Sequence, residues 1–344
     1  MRFARLVHIR YLSALAGFVL LGLTPIVGLN LLVDPLWYFS GTWIGTRNYW
    51  LNDRTSKINL IRQNLHAYDC LIFGSSVAAL LDPTKIDGYK CFNASFSAAT
   101  AEEMLVYAHY LEKLGVRPKL VIVQVDPADL RSARPSTLEM PEFVLDGRSP
   151  APALLAYLSF DVFWFSLRSA LGTLERNSWY TPEFIVRARP PRQPTTPTRA
   201  LELTDYFADF GRETLAVYAE LLETWPEARK VGYVSFINAW VIAAWQKEAR
   251  LEAYLETIYA ASHLFDEFYD FSAPSDITMD LTLTNDGLHF SESVNDLIAA
   301  RLSGHDSSLG LAVHTCSYSA FKDRYLSRVR ATPASVIEYV NGSS

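Results

Sequence analysis

The stretch that decides the fold is Cys70-Leu71-Ile72-Phe73-Gly74-Ser75-Ser76. A short apolar run that stops at Gly-Ser-Ser reads as a buried parallel strand ending at the carboxyl edge of a sheet. In open α/β folds that edge is where ligands bind. Ser76 falls at the tip, at the start of the next turn or helix, with its own N–H free to face an anion. The plainer reading is a strand followed by an ordinary polar turn, because serine is common in turns.

Outward from this stretch the pattern repeats. Asp82-Pro83 and Asp87-Gly88 punctuate the return, and Cys91-Phe92 begins a second strand that ends in Asn93-Ala94-Ser95-Phe96-Ser97-Ala98. Thr100-Ala101-Glu102-Glu103 is a capping box, so a helix starts there and ends near Gly115. Leu120 to Val125 is a third buried strand, stopped by Asp126-Pro127. The alternation of strands and helices predicts an α/β fold with a parallel sheet. It is interrupted over 131–210 by an apolar helical segment (Ala153 to Leu174) and a Pro/Arg/Thr-rich stretch (Arg187 to Arg199), read as an inserted helical lobe and an exposed loop able to serve as a lid. The pattern then resumes with a helix over Glu213–Trp225, a strand over Val231–Ile237, a helix over Trp240–Ala261, a short strand over Phe268–Phe271 and a helix over Ser291–Leu302. Residues 304–344 read as a C-terminal extension carrying Lys322, Arg324, Arg328 and Arg330.

The chain has 344 residues, half of them hydrophobic, so a sizeable core is available. Its net charge of −6 argues against a nucleic-acid partner, which needs a basic face. Three cysteines without a C-x-x-C spacing make neither a disulfide scaffold nor a zinc site.

Tyr11 to Val33 contains no charged residue. As a helix it spans about 34 Å, enough to cross a bilayer core of about 30 Å. Arg2, Arg5 and Arg10 precede it, so the positive-inside rule keeps residues 1–10 in the cytoplasm and exports everything after Val33. A cleaved signal peptide is the rival reading. It would have a shorter apolar core and a small-x-small site, which Asn30-Leu31-Leu32-Val33-Asp34-Pro35 does not offer. The expectation is an uncleaved single-pass anchor over 11–33 in the inner (cytoplasmic) membrane, with Pro25, Gly22 and Gly28 placed to kink it. Residues 34–67 would then be membrane-proximal: an aromatic stretch with Trp37, Tyr38, Phe39 and Trp43 at the membrane surface, then a helix over Asn52–His66 whose Arg54 and Lys57 form a solvated or ion-paired face. Export would permit a disulfide, and neighbouring strands would bring Cys70 and Cys91 together. Two buried free thiols are the alternative.

Acyl transfer through serine needs a hydroxyl, a base for its proton and an anion to hold the base. His289 is the base candidate, in a polar loop just before the last sheet-packing helix, with Asp286 three residues earlier. One turn can set the carboxylate beside Nδ1 and leave Nε2 for Ser76. The order Ser, Asp, His is a known order for such triads.

Gly74-Ser75-Ser76, Asn93 to Ala98 and Asp286-Gly287-Leu288-His289 resemble, in order and spacing, the blocks of the SGNH (GDSL-type) hydrolase superfamily. The Gly-Ser-Ser variant behind an N-terminal anchor is similar to its membrane-tethered branch, which includes the D-alanyl transfer protein of lipoteichoic acid synthesis and the alginate O-acetylation proteins. The resemblance covers roughly residues 68–303 outside the insertion. It implies a three-layer α/β/α sandwich of flavodoxin-like type, Ser76 as nucleophile, His289 as base, Asp286 as its orienting partner, oxyanion or substrate contacts from Ser76, Ala98 and Asn93, and no metal or other cofactor.

Two positions depart from the pattern. Ala98 stands where the second block usually ends in glycine; its N–H survives, but not the glycine's freedom at positive φ. The third block usually supplies an asparagine, whereas Asp126-Pro127-Ala128-Asp129 supplies none, and a carboxylate there repels an oxyanion. One lost donor costs about 2.7–4 kcal/mol.

Two functions are compatible with these residues. The first is an exported serine esterase or O-acyltransferase acting on acyl esters of cell-envelope glycans or related molecules. Water or a sugar hydroxyl would complete the reaction, and a membrane-bound acyltransferase is the partner such a role implies. The second is a non-catalytic, membrane-tethered binding or assembly protein of the same fold.

Overall fold

The computed structural model describes residues 2–44, 47–130, 139–176, 178–189, 194–207, 209–305 and 308–342. The chain divides into two compact units. One is Met1–Gln63 with Arg148–Phe184, and the other is Asn64–Gly147 with Ile185–Ser344.

The second unit is a mixed α/β structure around a mostly parallel six-stranded sheet. Its strands, numbered along the chain, are β1 (Cys70–Phe73), β2 (Cys91–Asn93), β3 (Leu120–Gln124), β4 (Arg229–Val234), β5 (Glu267–Asp270) and β6 (Leu311–Ala312). The order across the sheet is β2-β1-β3-β4-β5-β6, and only β6 runs antiparallel, against β5. β1, β2 and β3 are buried throughout, which is why they read as continuous apolar runs and not as alternating ones. The chain leaves β1 toward β2 on one side and returns to β3 on the other. This reversal is a topological switch point, the place at which open α/β sheets bind ligands, at the carboxyl ends of β1 and β3.

Cys70 and Cys91 are paired in register at the start of β1 and β2 and form a disulfide at the sheet edge opposite Ser76. Of the two readings left open by the sequence, the bridge is the one formed. The Ala101–Lys113 helix opens with the expected capping box: Thr100 Oγ1 accepts from the Glu103 N–H, and a Glu103 carboxylate oxygen accepts from the Thr100 N–H.

Several expectations need correction. Trp240–Ala261 is not one helix. Two helices, Ala239–Lys247 and Leu251–Ser262, meet at a break where Ala249 takes a left-handed φ of 57°. The C-terminal extension supplies β6 and the Tyr318–Arg330 helix, whose Phe321 and Tyr325 are buried. The Pro/Arg/Thr-rich stretch is tied down at both described ends. Arg187 pairs with Asp82 at 3.0 Å, and the Thr195 hydroxyl donates to the Thr284 carbonyl at 3.1 Å. Thr196 caps a helix over Pro197–Leu201, with proline at the position where its missing N–H costs nothing. Residues 190–193, the middle of the expected lid, and 131–138, the start of the insertion, lie outside the described residues.

In the first unit a helix runs over Arg2–Val33 with Pro25 inside it. Its Ile9–Val33 portion, with mean hydropathy 2.1, is long and apolar enough to cross a membrane. The apolar segment of the insertion forms two helices, Ala153–Tyr157 and Phe160–Ala170, separated at Ser159, which caps the second. Both pack on the long helix. Asn30 Nδ2 donates to the Tyr157 carbonyl at 2.9 Å, and the Tyr157 hydroxyl donates to Asp34. The aromatic stretch does not lie wholly on the surface. Trp37 is buried edge-on against Phe184, whereas Phe39 and Trp43 are exposed. Nor is the Arg54/Lys57 face solvated. Arg54 is buried 3.6 Å from Asp53, and Lys57 is buried beneath the Tyr180 and Phe184 rings. Burial drives Lys57 down to about 7, with the charge of Asp53 opposing the drop.

Candidate active site

Ser76 follows β1 directly. Gly74 and Ser75 are buried, and Ser76 is the half-buried residue of that turn. Among the described residues its N–H has no hydrogen-bond acceptor. A single 3-10 turn, Ala78–Leu80, comes next.

His289 and Asp286 arrive from the far side of the chain, in the loop between β5 and the Glu292–Leu302 helix. Thr284 pairs with Phe290 as an isolated antiparallel bridge, and the Thr284 hydroxyl donates to the His289 carbonyl at 3.2 Å and accepts from the Gly287 N–H at 2.8 Å. Gly287 has φ of 96°, and a Cβ there would lie 2.6 Å from Asn238 Nδ2. That position therefore requires glycine for both conformation and space. The buried Leu288 and Phe290 anchor the loop to the core on either side of His289.

The three side chains meet. Ser76 Oγ lies 2.8 Å from His289 Nε2, and His289 Nδ1 lies 2.7 Å from Asp286 Oδ2. Asp286 Oδ1 accepts from the Leu288 N–H at 2.9 Å and the His289 N–H at 2.8 Å, so the carboxylate is held by backbone as well as by the ring. Burial alone would push the Asp286 carboxyl up. The His289 bond and charge and the two N–H groups outweigh it and hold the carboxyl well below the usual range. An ionised Asp286 fixes the proton on Nδ1 and leaves Nε2 to accept from the Ser76 hydroxyl. Burial also opposes an imidazolium at His289, but the bond and charge of Asp286, joined by the charge of Asp126, raise its pKa above the ordinary value.

A second turn is tied to the one bearing Ser76 through backbone bonds. Beyond β2 the parallel ladder continues, with the Ala94 N–H donating to the Ile72 carbonyl and the Phe96 N–H to that of Gly74. This carries the 96–98 turn alongside the Gly74–Ser76 turn. Ala98 takes φ of 51°, the left-handed conformation that a glycine would occupy. The expectation that alanine forfeits this conformation is thus corrected: the turn is kept, at a steric cost of about 1–2 kcal/mol. Among the described residues the Ala98 N–H has no acceptor.

Asn93 does not act as expected. Its buried amide nitrogen donates to the Ala78 and Leu81 carbonyls at 2.8 and 2.9 Å, and its oxygen accepts from the Ser95 N–H. These bonds brace the 78–81 segment against β2 and turn the amide away from a substrate role. Asp126 ends β3 as expected, with Oδ1 accepting from the Ala128 N–H at 2.9 Å.

Sequence reasoning missed Gln124. This residue, the last of β3, is buried, and its Oε1 accepts from both the N–H and the hydroxyl of Ser75 at 3.0 and 3.1 Å. A Cβ on Gly74 would lie 2.7 Å from that same oxygen and 2.5 Å from the Ala78 Cβ. Gly74 is therefore needed so that Gln124 can hold the turn bearing Ser76. The signal was present: a lone amide in an otherwise apolar buried strand must find partners.

No protein-family model matches the chain, and no curated protein matches it.

Proposed function

We propose that this protein is a membrane-anchored, exported serine esterase or O-acyltransferase of SGNH type, its second unit a three-layer α/β/α sandwich, acting on acyl esters of cell-envelope glycans or related molecules. The observation that carries this reading is the continuous chain Ser76 Oγ to His289 Nε2 to Asp286, 2.8 and 2.7 Å long. The Cys70–Cys91 bridge supports the exported placement, because such bonds persist in oxidising compartments. The apolar Ile9–Val33 helix supports the anchor.

The chemistry follows from the geometry. Ser76 Oγ attacks the ester carbonyl while its proton passes to His289 Nε2. Asp286 accepts from Nδ1–H and stabilises the imidazolium. The N–H groups of Ser76 and Ala98 are the available donors for the oxyanion. Collapse breaks the ester C–O bond, and the leaving alkoxide takes the proton from Nε2, which leaves an acyl-Ser76. Water or a sugar hydroxyl then attacks this ester, giving its proton to His289, and the serine hydroxyl is restored.

A fluorophosphonate probe tests the reading. The full chain in detergent should be labelled at Ser76, and Ser76→Ala should abolish labelling. Absence of labelling in the parent chain removes the enzyme reading. It would favour a tethered binding or assembly protein, the alternative supported by the Asp126 carboxylate standing where an amide donor is expected.

A further inference from the structure

The helices Ala153–Tyr157 and Phe160–Ala170 bury one face and expose another that is just as apolar. Val162, Phe165 and Ser166 point inward, while Leu154, Leu155, Leu158, Phe160, Trp164 and Leu171 are exposed. Phe160, Trp164 and Leu171 fall at i, i+4 and i+11, one stripe of the helix. A soluble domain seldom leaves so many large apolar side chains together on its surface.

The neighbour of this face is the apolar helix. Residues 9–22 of that helix are exposed throughout; burial begins at Leu23 and is complete at Asn30 and Val33. Both short helices pack on it, and the Asn30 and Asp34 bonds to Tyr157 fix its end to them. Leu23 to Val33 covers about 15 Å of helix rise. If the anchor spans, the pair lies alongside a little under half of the span, at its C-terminal end, and its exposed stripe continues the lipid-facing surface of the anchor. Asp161 and Arg168, both exposed, rule out a second crossing but suit an element lying in the interface, where long side chains reach the headgroups and a tryptophan ring settles.

We propose that these two helices form an in-plane membrane foot, inserting Leu154, Leu155, Leu158, Phe160, Trp164 and Leu171 into the acyl–headgroup boundary of the leaflet from which the anchor emerges. The occupant is the bilayer itself, because the stripe is continuous with a surface that is already apolar over 9–22. This rests on the anchor reading given above. A foot beside the anchor would restrict the tilt of the first unit, which a lone helix leaves free.

Nitroxide labels on the full chain, in a Cys316→Ser background, test the proposal in vesicles of phosphatidylethanolamine and phosphatidylglycerol. Labels replace Leu155, Trp164 or Leu171, with Leu20→Cys as the anchor control and Glu223→Cys as the aqueous control. The positions are exposed, so folding is preserved. The expected result is relaxation by oxygen in preference to a water-soluble nickel complex at 155, 164 and 171, as at 20, with the reverse at 223. Aqueous behaviour at 155, 164 and 171 with lipid behaviour at 20 overturns the foot and leaves the anchor intact. Aqueous behaviour at 20 overturns both. Dipolar broadening between copies at 155 and 164 assigns the face to a second copy and overturns the lipid reading.

Discussion

The two sides of Ser76 are made of different materials. On one side stand His289 and Asp286, joined by short hydrogen bonds and braced by the N–H groups of Leu288 and His289. Along its other flank runs the 96–98 turn, tied to Gly74 by a backbone bond and carrying Ala98 in a left-handed conformation. On the proposed mechanism, proton transfer would rest on side chains already joined to one another, and stabilisation of the oxyanion would rest on how the backbone is folded. Substitutions on the first side should therefore act through chemistry, and those on the second through conformation.

The largest effect is expected at Asp286. In Asp286→Asn the new amide oxygen can still accept from the Leu288 and His289 N–H groups, so the loop should hold its shape. The amide nitrogen, however, would face Nδ1 and favour the wrong tautomer. Labelling of Ser76 by the fluorophosphonate should fall by about 10⁴-fold with melting little changed. A loss below tenfold would mean that Asp286 is only a loop brace, and the contrast between the two sides would collapse.

Next comes Gly74→Ala, which probes the support beneath Ser76. The added methyl would meet Ala78 Cβ at 2.5 Å and Gln124 Oε1 at 2.7 Å. Overpacking of this kind costs about 1–3 kcal/mol. Moving the Ser76 turn by about an ångström should slow labelling by roughly 100-fold. Both changes are expected together, read by thermal melting and by labelling rate. Reduced stability with an unchanged rate would show that the Gln124 brace does not position Ser76.

Asp126→Asn should shift the pH profile more than the maximal rate. His289 must be neutral to take the serine proton, and its raised pKa delays that form until higher pH. Part of the rise comes from the charge of Asp126. Removing that charge should move the acid limb of Ser76 labelling to lower pH. An unmoved limb would mean that solvent screens Asp126 from His289.

Much of this was legible in the chain. β1 occupies Cys70–Phe73 as read, and the Thr100 capping box starts the helix at Ala101, because buried apolar runs and caps are local signals. What escaped depends on distant partners. The break at Ala249 has neither glycine nor proline to announce it, and β6 is two residues long and exists through its pairing with Tyr269 and Asp270. In the site, Asp286 and His289 share one short loop, so their geometry is nearly encoded by spacing. Gln124 and Asn93 differ in that respect. Each lies in a strand and takes its role from a turn that the sequence leaves 12 or more residues away.

Ala98 tests whether backbone conformation alone matters on the oxyanion side. An L side chain at φ of 51° costs about 1–2 kcal/mol, and glycine avoids that cost while giving back roughly 0.5–1 kcal/mol of chain entropy. Ala98→Gly should therefore raise stability by about 1 kcal/mol or less and leave the labelling rate within about twofold, since the N–H is unchanged. Ala98→Val should do the opposite, because a β-branched residue resists this region, and it should lower both stability and rate. The pair of variants separates two causes. If glycine stabilises the fold yet slows labelling, the methyl of Ala98 is itself needed to keep the turn from loosening, and the N–H is aimed by local stiffness. If both rate and fold follow φ alone, the oxyanion side is a matter of backbone geometry, and alanine at 98 is a tolerated strain in a turn that belongs to glycine.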